Sequence, residues 1–350
     1  MLLSTSKRQS GIVLALVLIL AMVLSTAVIT FLRRAVIDSA IVHNRDAVAQ
    51  AEALARGGVR LATALLLEDL ANETLGAGTG PGETLQDVWA RVGKHVLMTQ
   101  DGAELRLEIR DVGARLNLNA LIDHRDPNAT PEDDAQEFLV DLFDKVIDEI
   151  PLPPGEKFYD SRELAENLLD YMDPNDLRIR GGRENDYYGA QDPPYRAADR
   201  PLLSIEELRM VEGFDAPLVD ALRDYVTVYP LVGGSGINLN TAPEWVLASV
   251  YHGNSGDRRL ADEDVVRKIL RIRDEGGFVC DRTESAPDRC TQLLSARLEG
   301  SIYPPTTLPA RADFFRVEAE ARVGEIVRTV EAVVDRSLPT EARLLSWRVR

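Results

Sequence analysis

The sequence predicts an α+β protein in which one long N-terminal helix precedes a small antiparallel sheet, and a large helical insertion interrupts that sheet. An uncharged stretch at 12–32 continues into an amphipathic pattern over 33–75, which is typical of one unbroken helix. Alternating apolar residues indicate strands at 104–110 and again at 315–334. The interval 118–301 contains repeated helix-start signals, so we expect it to form the insertion.

The first part of the long helix has the length and composition of a membrane span. Residues 12–32 form 21 consecutive uncharged positions, which at about 1.5 Å per residue cross a hydrocarbon layer of about 30 Å. A cleaved secretory signal peptide is the alternative, but its apolar region is shorter, roughly 7–15 residues. Here the helical pattern of 33–75 follows directly, with Gly57-Gly58 as its predicted weak point. We therefore predict a single-pass anchor at 12–32.

Charge, composition and motifs exclude several classes of protein. The net charge of −17 repels phosphate backbones, so nucleic acid is not an expected partner. A hydrophobic fraction of 45% excludes a fully disordered chain. The sequence contains no H-E-x-x-H pair, no G-x-S-x-G elbow and no complete P-loop. We therefore predict that the protein is not an enzyme.

The part of the chain beyond the long helix divides into three segments. Residues 76–117 begin with a glycine-rich break and hold the first strand of the predicted sheet. The helical insertion with its acidic loop occupies 118–301, and the remaining strands occupy 302–350, with a hairpin turn at Gly324-Glu325. Helix starts inside the insertion are predicted at Thr130, Ser161, Ser204 and Thr241.

Two stretches of the insertion, 198–214 and 236–251, resemble each other and suggest a paired-helix repeat of the helix-hairpin-helix or SAM-like kind. The second contains INLNTAPEWVL, which is similar to the opening of helix-hairpin-helix DNA-binding modules. A membrane-anchored DNA-binding or DNA-uptake protein is therefore the alternative function. Glu212 and Asp215 in the first hairpin have the wrong charge for phosphate. We predict that the helix pairs serve in packing.

The acidic segment at 170–200, DYMDPNDLRIRGGRENDYYGAQDPPYRAADR, contains the densest group of candidate metal ligands. Its carboxylate and amide oxygens are the ligands that calcium prefers, in sets of six to eight with flexible geometry. The ligand spacing is not that of an EF-hand. A solvated acidic loop held by packing of Tyr187, Tyr188 and Tyr195 is the alternative interpretation.

The two cysteines, Cys280 and Cys290, flank a short polar loop. In the cytosol both would stay thiols, whereas an oxidising compartment would allow a disulfide between them. Closing so short a loop contributes roughly 2–3 kcal/mol to stability.

Taken together, these features resemble the minor pseudopilin K family of the type II, or general, secretion pathway. A basic leader ends in Gly11 before the apolar helix, as in type IV pilins and pseudopilins. Leu16 stands at the fifth position of the mature chain, where most pilins carry Glu and pseudopilin K typically does not. The run D-x-x-D-x-x-D…GG-x-E-x-x-YY…DPPYRAA-x-RPL and the segment INLNTAPEWVL are also similar to that family.

The resemblance implies a set of sites. A prepilin peptidase would remove the leader, residues 1–11, by cutting between Gly11 and Ile12, and the new N-terminus would be methylated. The soluble part would have a pilin-like α/β fold with a large helical insertion and bound structural calcium. Motif match carries the calcium ligands over to Asp173, Asp176, Glu184 and Asp186.

The resemblance also implies a function. The protein would be a minor pseudopilin at the tip of the pseudopilus, initiating its assembly and supporting export of folded proteins across the outer membrane. Its partners would be the I-type and J-type minor pseudopilins, the prepilin peptidase, the inner membrane and secreted cargo. The anchor would lie in the inner membrane and the C-terminal domain in the periplasm, where Cys280 and Cys290 would form a disulfide.

Overall fold

The computed structural model begins with a single helix, α1 (Ser6–Thr74), which is 69 residues long. At 1.5 Å per residue it extends for about 100 Å. Side chains from residue 11 to residue 46 are exposed, and the apolar part has a mean hydropathy of 3.1. By length and composition this part of α1 can cross a membrane. The structure describes residues 6–74, 82–99, 102–126, 129–131, 134–151, 159–233, 236–254, 256–279, 298, 300–303, 306, 308–309, 311–338 and 340–350.

Seven further α-helices and nine strands follow α1 in the described part of the chain. The strands are β1 (Val96–Met98), β2 (Glu104–Asp111), β3 (Leu116–Asn117), β4 (Val226–Thr227), β5 (His252–Gly253), β6 (Ser301–Ile302), β7 (Phe314–Val323), β8 (Ile326–Leu338) and β9 (Glu341–Val349). The helices are α2 (Val88–Arg91), α3 (Ala135–Asp148), α4 (Ser161–Met172), α5 (Asn185–Tyr188), α6 (Ala216–Leu222), α7 (Glu244–Leu247) and α8 (Glu263–Asp274). Short 3-10 helices cover Val92–Lys94, Val112–Ala114, Leu118–Leu121 and Ile205–Met210.

A five-stranded antiparallel sheet lies against the second half of α1, in the order β1–β2–β7–β8–β9. Strand β7 is at the centre of the sheet and pairs with β2, with Ile109 opposite Val317. Helices α3 to α8 separate these two strands along the chain. Alternate residues of both strands are buried under the helix, because side chains of a strand point to opposite faces in turn. The α+β class and both long predicted strand regions are confirmed.

Helix α1 approaches the sheet most closely at Gly58. A Cβ atom placed there would lie 2.8 Å from the side chain of Leu107 and 3.0 Å from that of Ala319. The neighbouring Gly57 has open space around it. Helix α1 continues without a break through both of these glycines, the predicted weak point. The second glycine instead lets the helix backbone contact the sheet.

The buried side chains of the described residues form two separate cores. One lies between α1 and the sheet, where Trp89 packs edge-on against Phe315 with ring centroids 5.0 Å apart. The other lies among the helices between β2 and β7, where Phe138 and Tyr251 make a similar contact at 5.2 Å. The segment between β2 and β7 therefore has its own hydrophobic core, while its SAM-like character and the domain limits given above stay predictions.

Three helix starts in this segment differ from the predicted ones. Helix α3 begins at Ala135 with Asp134 as its N-cap, and not at Thr130. Helix α4 begins at Ser161, but its N-cap is Asp160, whose carboxylate accepts the Glu163 N–H at 2.9 Å. A carboxylate directly before the first turn competes well for this position. Thr241 does not cap α7, because its hydroxyl donates to the buried carboxylate of Asp111 at the end of β2.

Candidate metal centre

Three carboxylates of the acidic segment meet in the helical part of the protein. Asp170 lies in the last turn of α4, Asp173 directly follows that helix, and Glu184 directly precedes α5. One oxygen of each lies within 4.8 Å of the others. All three residues are buried, with exposed fractions of 4%, 3% and 0% respectively. The end of α4 and the return of the loop at α5 create this group.

The hydrogen bonds of the three carboxylates are unequal. Asp170 accepts the Ile179 N–H at 3.0 Å, and Asp173 accepts the backbone and side-chain N–H groups of Asn175 at 3.0 and 2.8 Å. Neither carboxylate oxygen of Glu184 has a hydrogen-bond partner among the described residues. A buried carboxylate without a donor is costly unless it is protonated or bound to a cation. Glu184 therefore has the properties of a ligand.

Burial and mutual repulsion shift the titration of this cluster. Desolvation, followed by the negative charges of Asp173 and Asp170, raises the pKa of Glu184 to about 9. Burial is also the main cause that raises the pKa of Asp170 and of Asp173 to about 6. At neutral pH the isolated cluster would hold a proton on Glu184. A bound cation would reverse this preference, because it stabilises the ionised carboxylates.

The predicted ligand set is brought together in part. Asp173 and Glu184 lie in the cluster, whereas Asp176 lies outside it and accepts a hydrogen bond from Asn185 at 2.6 Å. Asp186 is exposed on α5 and also lies outside. Asp170 takes part although motif matching left it out. Its position three residues before Asp173, at the end of an amphipathic helix, is the sequence signal that could have identified it.

The loop that carries the cluster is held by ion pairs and aromatic packing. Arg178 pairs with Glu212 and Arg180 pairs with Glu166, which ties residues 178–180 to α4 and to the turn before α6. Tyr188 is buried and contacts three further tyrosine rings at centroid distances of 5.2–5.5 Å. Those rings belong to Tyr171, Tyr187 and Tyr195. The packing proposed for a plain acidic loop is therefore present, but it surrounds buried carboxylates.

The polar side chains of INLNTA are used inside the protein. Asn238 and Thr241 donate to one carboxylate oxygen of Asp111 at 3.0 and 2.5 Å, which joins the motif to the end of β2. Burial raises the pKa of Asp111 to about 6. Asn240 binds the backbone of Val279 through both amide atoms, at 2.7 and 2.8 Å. These contacts support packing as the role of the motif.

The same arrangement occurs at a second place in the helical part. Asn119 contacts the backbone N–H and C=O of Leu202 at 2.8 and 2.9 Å, as Asn240 contacts Val279. Both asparagines belong to an Asn-Leu-Asn sequence, at 117–119 and 238–240. These asparagine contacts therefore relate residues 117–119 to residues 238–240. The repeat predicted from the sequence instead related 198–214 to 236–251.

Comparison with known proteins identifies a matching family model and several relatives of this chain. A family model described as "Type II secretion system (T2SS), protein K" matches residues 114–231, which include all three carboxylates of the cluster. Similarity to individual relatives extends further along the chain. The type II secretion system protein K of Pseudomonas aeruginosa PAO1 is 26% identical over 345 residues, covering 97% of this chain and 92% of that protein. The predicted resemblance to the type II secretion system protein K family is therefore confirmed, with residues 114–231 matched by the family model itself.

Other relatives agree. The putative type II secretion system protein K of Escherichia coli K12 is 33% identical over 162 residues, so that this match spans about half of either chain, 46% of each. Among solved structures, a chain of the GspK-GspI-GspJ complex from the enterotoxigenic Escherichia coli Type 2 Secretion System matches with a TM-score of 0.59 and 22% identity. The match covers 88% of this chain and 99% of that one, and at this identity it shows a common fold.

The remaining predicted sites lie in different parts of the chain. Gly11 and Ile12 both lie within α1, and the side chain of Ile12 is 66% exposed. Cys280 and Cys290 lie outside the described residues.

Proposed function

We propose that this protein is a minor pseudopilin at the tip of the type II secretion pseudopilus, where it initiates assembly and supports export of folded proteins across the outer membrane. The observation that carries the proposal is α1, which is apolar and exposed in its first half and packed on a sheet in its second. Such a helix can anchor the protein in the inner membrane while the soluble part stands in the periplasm. The role is structural and requires no enzymatic activity.

The uncharged side chain of Leu16 supports a place at the tip. A carboxylate inside the membrane costs about 3 kcal/mol unless it is paired, so a subunit without a pairing neighbour gains nothing from one. Cells that lack this chain should assemble few pseudopili and secrete poorly, and the wild-type gene should restore both. Normal numbers of pseudopili together with normal secretion in its absence would refute the proposal.

The I-type and J-type minor pseudopilins are the proposed partners. The supporting observation is the shared fold with a chain solved in a GspK-GspI-GspJ complex. An affinity-tagged full-length chain purified in detergent should retain both proteins, and the major pseudopilin should be the less abundant companion. Recovery of neither minor pseudopilin would contradict this assignment. Contact with secreted cargo is a further part of the proposal. It can be tested by photo-cross-linking from exposed positions in the helical segment between β2 and β7.

Processing by a prepilin peptidase is proposed at the bond between Gly11 and Ile12. Residues 6–74 form one helix, and both residues are exposed on it, which supports access to this bond. In cells that contain the peptidase, the mature chain should begin with N-methylated Ile12, whereas peptidase-deficient cells should retain the leader. A mature chain with any other first residue contradicts the assignment. Mass spectrometry of the intact protein distinguishes these outcomes.

We also propose that Asp170, Asp173 and Glu184 hold a structural calcium ion, in place of the ligand set carried over by motif. The support is the all-oxygen donor set, its burial and the two unpartnered oxygens of Glu184. When bound, the ion would supply the positive charge that the three carboxylates need. Because a ligand of the native state must stabilise it, a chelator should lower the melting temperature. A melting temperature that does not change would contradict the proposal.

A disulfide between Cys280 and Cys290 is proposed from the periplasmic location. The protein isolated without reductant should resist alkylation at both cysteines and gain two alkyl groups after reduction. Alkylation of the denatured, unreduced chain would contradict the disulfide.

A further inference from the structure

A second group of carboxylates lies at the C-terminal end of α1, away from the helical part. Asp69 and Glu73 belong to the last turns of α1, and Glu83 and Asp87 belong to the segment that leads into α2. One oxygen of each residue lies within 4.8 Å of the others. Glu83 and Asp87 are buried, with exposed fractions of 0% and 2%. The cluster therefore lies at the edge of the core between α1 and the sheet.

One buried arginine enters this cluster from β8. Arg336, which is fully buried, donates to Asp69 at 3.0 Å, to Glu83, and to the carbonyl oxygen of Leu66 at 2.9 Å. Glu73 lies 3.8 Å from Arg311, whose side chain is 57% exposed. Among the described residues a single buried guanidinium thus faces two of the four carboxylates, the positive charge nearest to Glu73 is solvated, and Asp87 accepts the Thr84 N–H at 2.6 Å. The negative charge at this site exceeds the buried positive charge.

Glu83 has an oxygen that this arginine does not satisfy. Its Oε1 accepts from Arg336, but its Oε2 is buried without a hydrogen-bond partner among the described residues. Burying such an oxygen without a donor or a cation is unfavourable. A hydrogen-bond donor or a cation beside Oε2 of Glu83 would therefore stabilise the folded protein.

The C-terminal end of α1 also favours a bound cation. Asp69 and Glu73 are spaced i and i+4 on the helix, where two like charges destabilise it. They also lie at the C-terminal end, where the helix dipole is negative and the last carbonyl groups have no partner inside the helix. Carboxylates in the last turn are unfavourable unless a cation compensates them. The same carbonyl and carboxylate oxygens are the ligands that hard cations prefer.

We propose that Asp69, Glu73, Glu83 and Asp87 form a second binding site for a hard divalent cation of the calcium type, separate from the cluster at Asp170. All of its side-chain donors are oxygens, which suits calcium or magnesium and not softer metals. An ion here would connect the end of α1 to the segment before α2, beside the Arg336 contacts with Asp69 and Glu83. The site would stabilise the helix-and-sheet part of the protein independently of the helical part.

Counting bound calcium in the full-length protein tests the proposal. The chain is purified in detergent, stripped with chelator, equilibrated with Ca²⁺, and its metal content is measured by mass spectrometry of the element. Glu184→Gln should remove one equivalent by abolishing the site at Asp170. Adding Glu73→Gln to that variant should remove a further equivalent, because Glu73 is a proposed ligand that does not contact Arg336. The exposed Glu68→Gln on the same helix is the matched control and should remove none.

Glu83→Gln is a second test that addresses the buried oxygen directly. In the Glu184→Gln background it should abolish the remaining rise in melting temperature caused by Ca²⁺. An unchanged calcium content after both Glu73→Gln and Glu83→Gln would overturn the proposal. So would a Glu184→Gln protein whose melting temperature ignores Ca²⁺ and rises as the pH is lowered, since protons would then neutralise the cluster. Each of these outcomes is independent of whether the protein acts at the pseudopilus tip.

Discussion

Replacing Glu184 by Gln should change the stability of the protein in opposite directions with and without calcium. Without a cation, the folded protein must protonate Glu184, whose pKa is about 9, whereas the unfolded chain leaves it ionised near its ordinary value of 4.5. This difference costs the wild-type protein about 1–3 kcal/mol at pH 7. The neutral amide of the variant avoids that cost. In chelator, Glu184→Gln should therefore be the more stable protein.

The stability of the metal-free protein should depend on pH in one direction. A carboxyl group whose pKa is raised by folding stabilises the native state at low pH and loses that contribution as the pH rises toward the raised value. Metal-free wild-type protein should thus become less stable between about pH 5 and pH 9, and Asp170 and Asp173 add to the trend at its lower end. The slope should be smaller in Glu184→Gln. Chemical denaturation in detergent, followed by tryptophan fluorescence, measures the free energy of unfolding and its slope with pH.

Calcium should reverse the order of the two proteins. At about a thousand times its dissociation constant, a ligand stabilises the native state by about 4 kcal/mol, and the variant loses this gain at the Glu184 site. Asp186→Asn is the matched control, because Asp186 is exposed on α5 and lies outside the cluster, so it should behave like wild type. The assignment of Glu184 as a calcium ligand is refuted if Glu184→Gln is less stable than wild type in chelator, or if calcium stabilises both proteins equally.

Three further substitutions test packing and buried polar contacts, each by the free energy of unfolding. Gly58→Ala should destabilise the protein by about 1–3 kcal/mol relative to Gly57→Ala, because a Cβ is 3.0 Å or less from three side chains at the first site and in open space at the second; equal effects would contradict the close contact. Asn240→Ala should cost about 1–3 kcal/mol by leaving both backbone groups of Val279 unpaired, and no loss would disprove that role. Arg336→Met should cost about 3–5 kcal/mol because it leaves buried carboxylates uncompensated, and a gain in stability would show that they are protonated.

Local patterns in the sequence were sufficient to predict the main elements of the helix-and-sheet part. The apolar run and the amphipathic pattern after it predicted α1, and alternation predicted β2, β7 and β8. Each of these patterns depends on neighbouring residues along one segment. The short strand β1 lacked such a signal, because Val96, Leu97 and Met98 are all exposed and do not alternate. The role of Gly58 was also missed, since it depends on a strand far away in sequence.

The candidate metal centre was predictable as a segment but not as a ligand set. The motif predicted ligands throughout the acidic loop. It did not distinguish Asp176 and Asp186 from Asp173 and Glu184, the two predicted residues that lie in the cluster. Which carboxylates are buried depends on how α4 packs. That helix buries its last turn, so Asp170 points inward, whereas Asp186 stays exposed on α5. Residue types and spacing alone do not contain this information.

The sequence by itself determined that the chain has one long apolar-to-amphipathic helix, an α+β soluble part and an excess of acidic side chains, because these properties follow from composition and short-range periodicity. The tertiary structure decided which distant groups meet. It paired β2 with β7 across the helical segment, joined Asn238 and Thr241 to Asp111, and placed Arg336 against Asp69 and Glu83. Such contacts arise when packing buries charged and polar groups that must then find partners, and no local pattern specifies those partners.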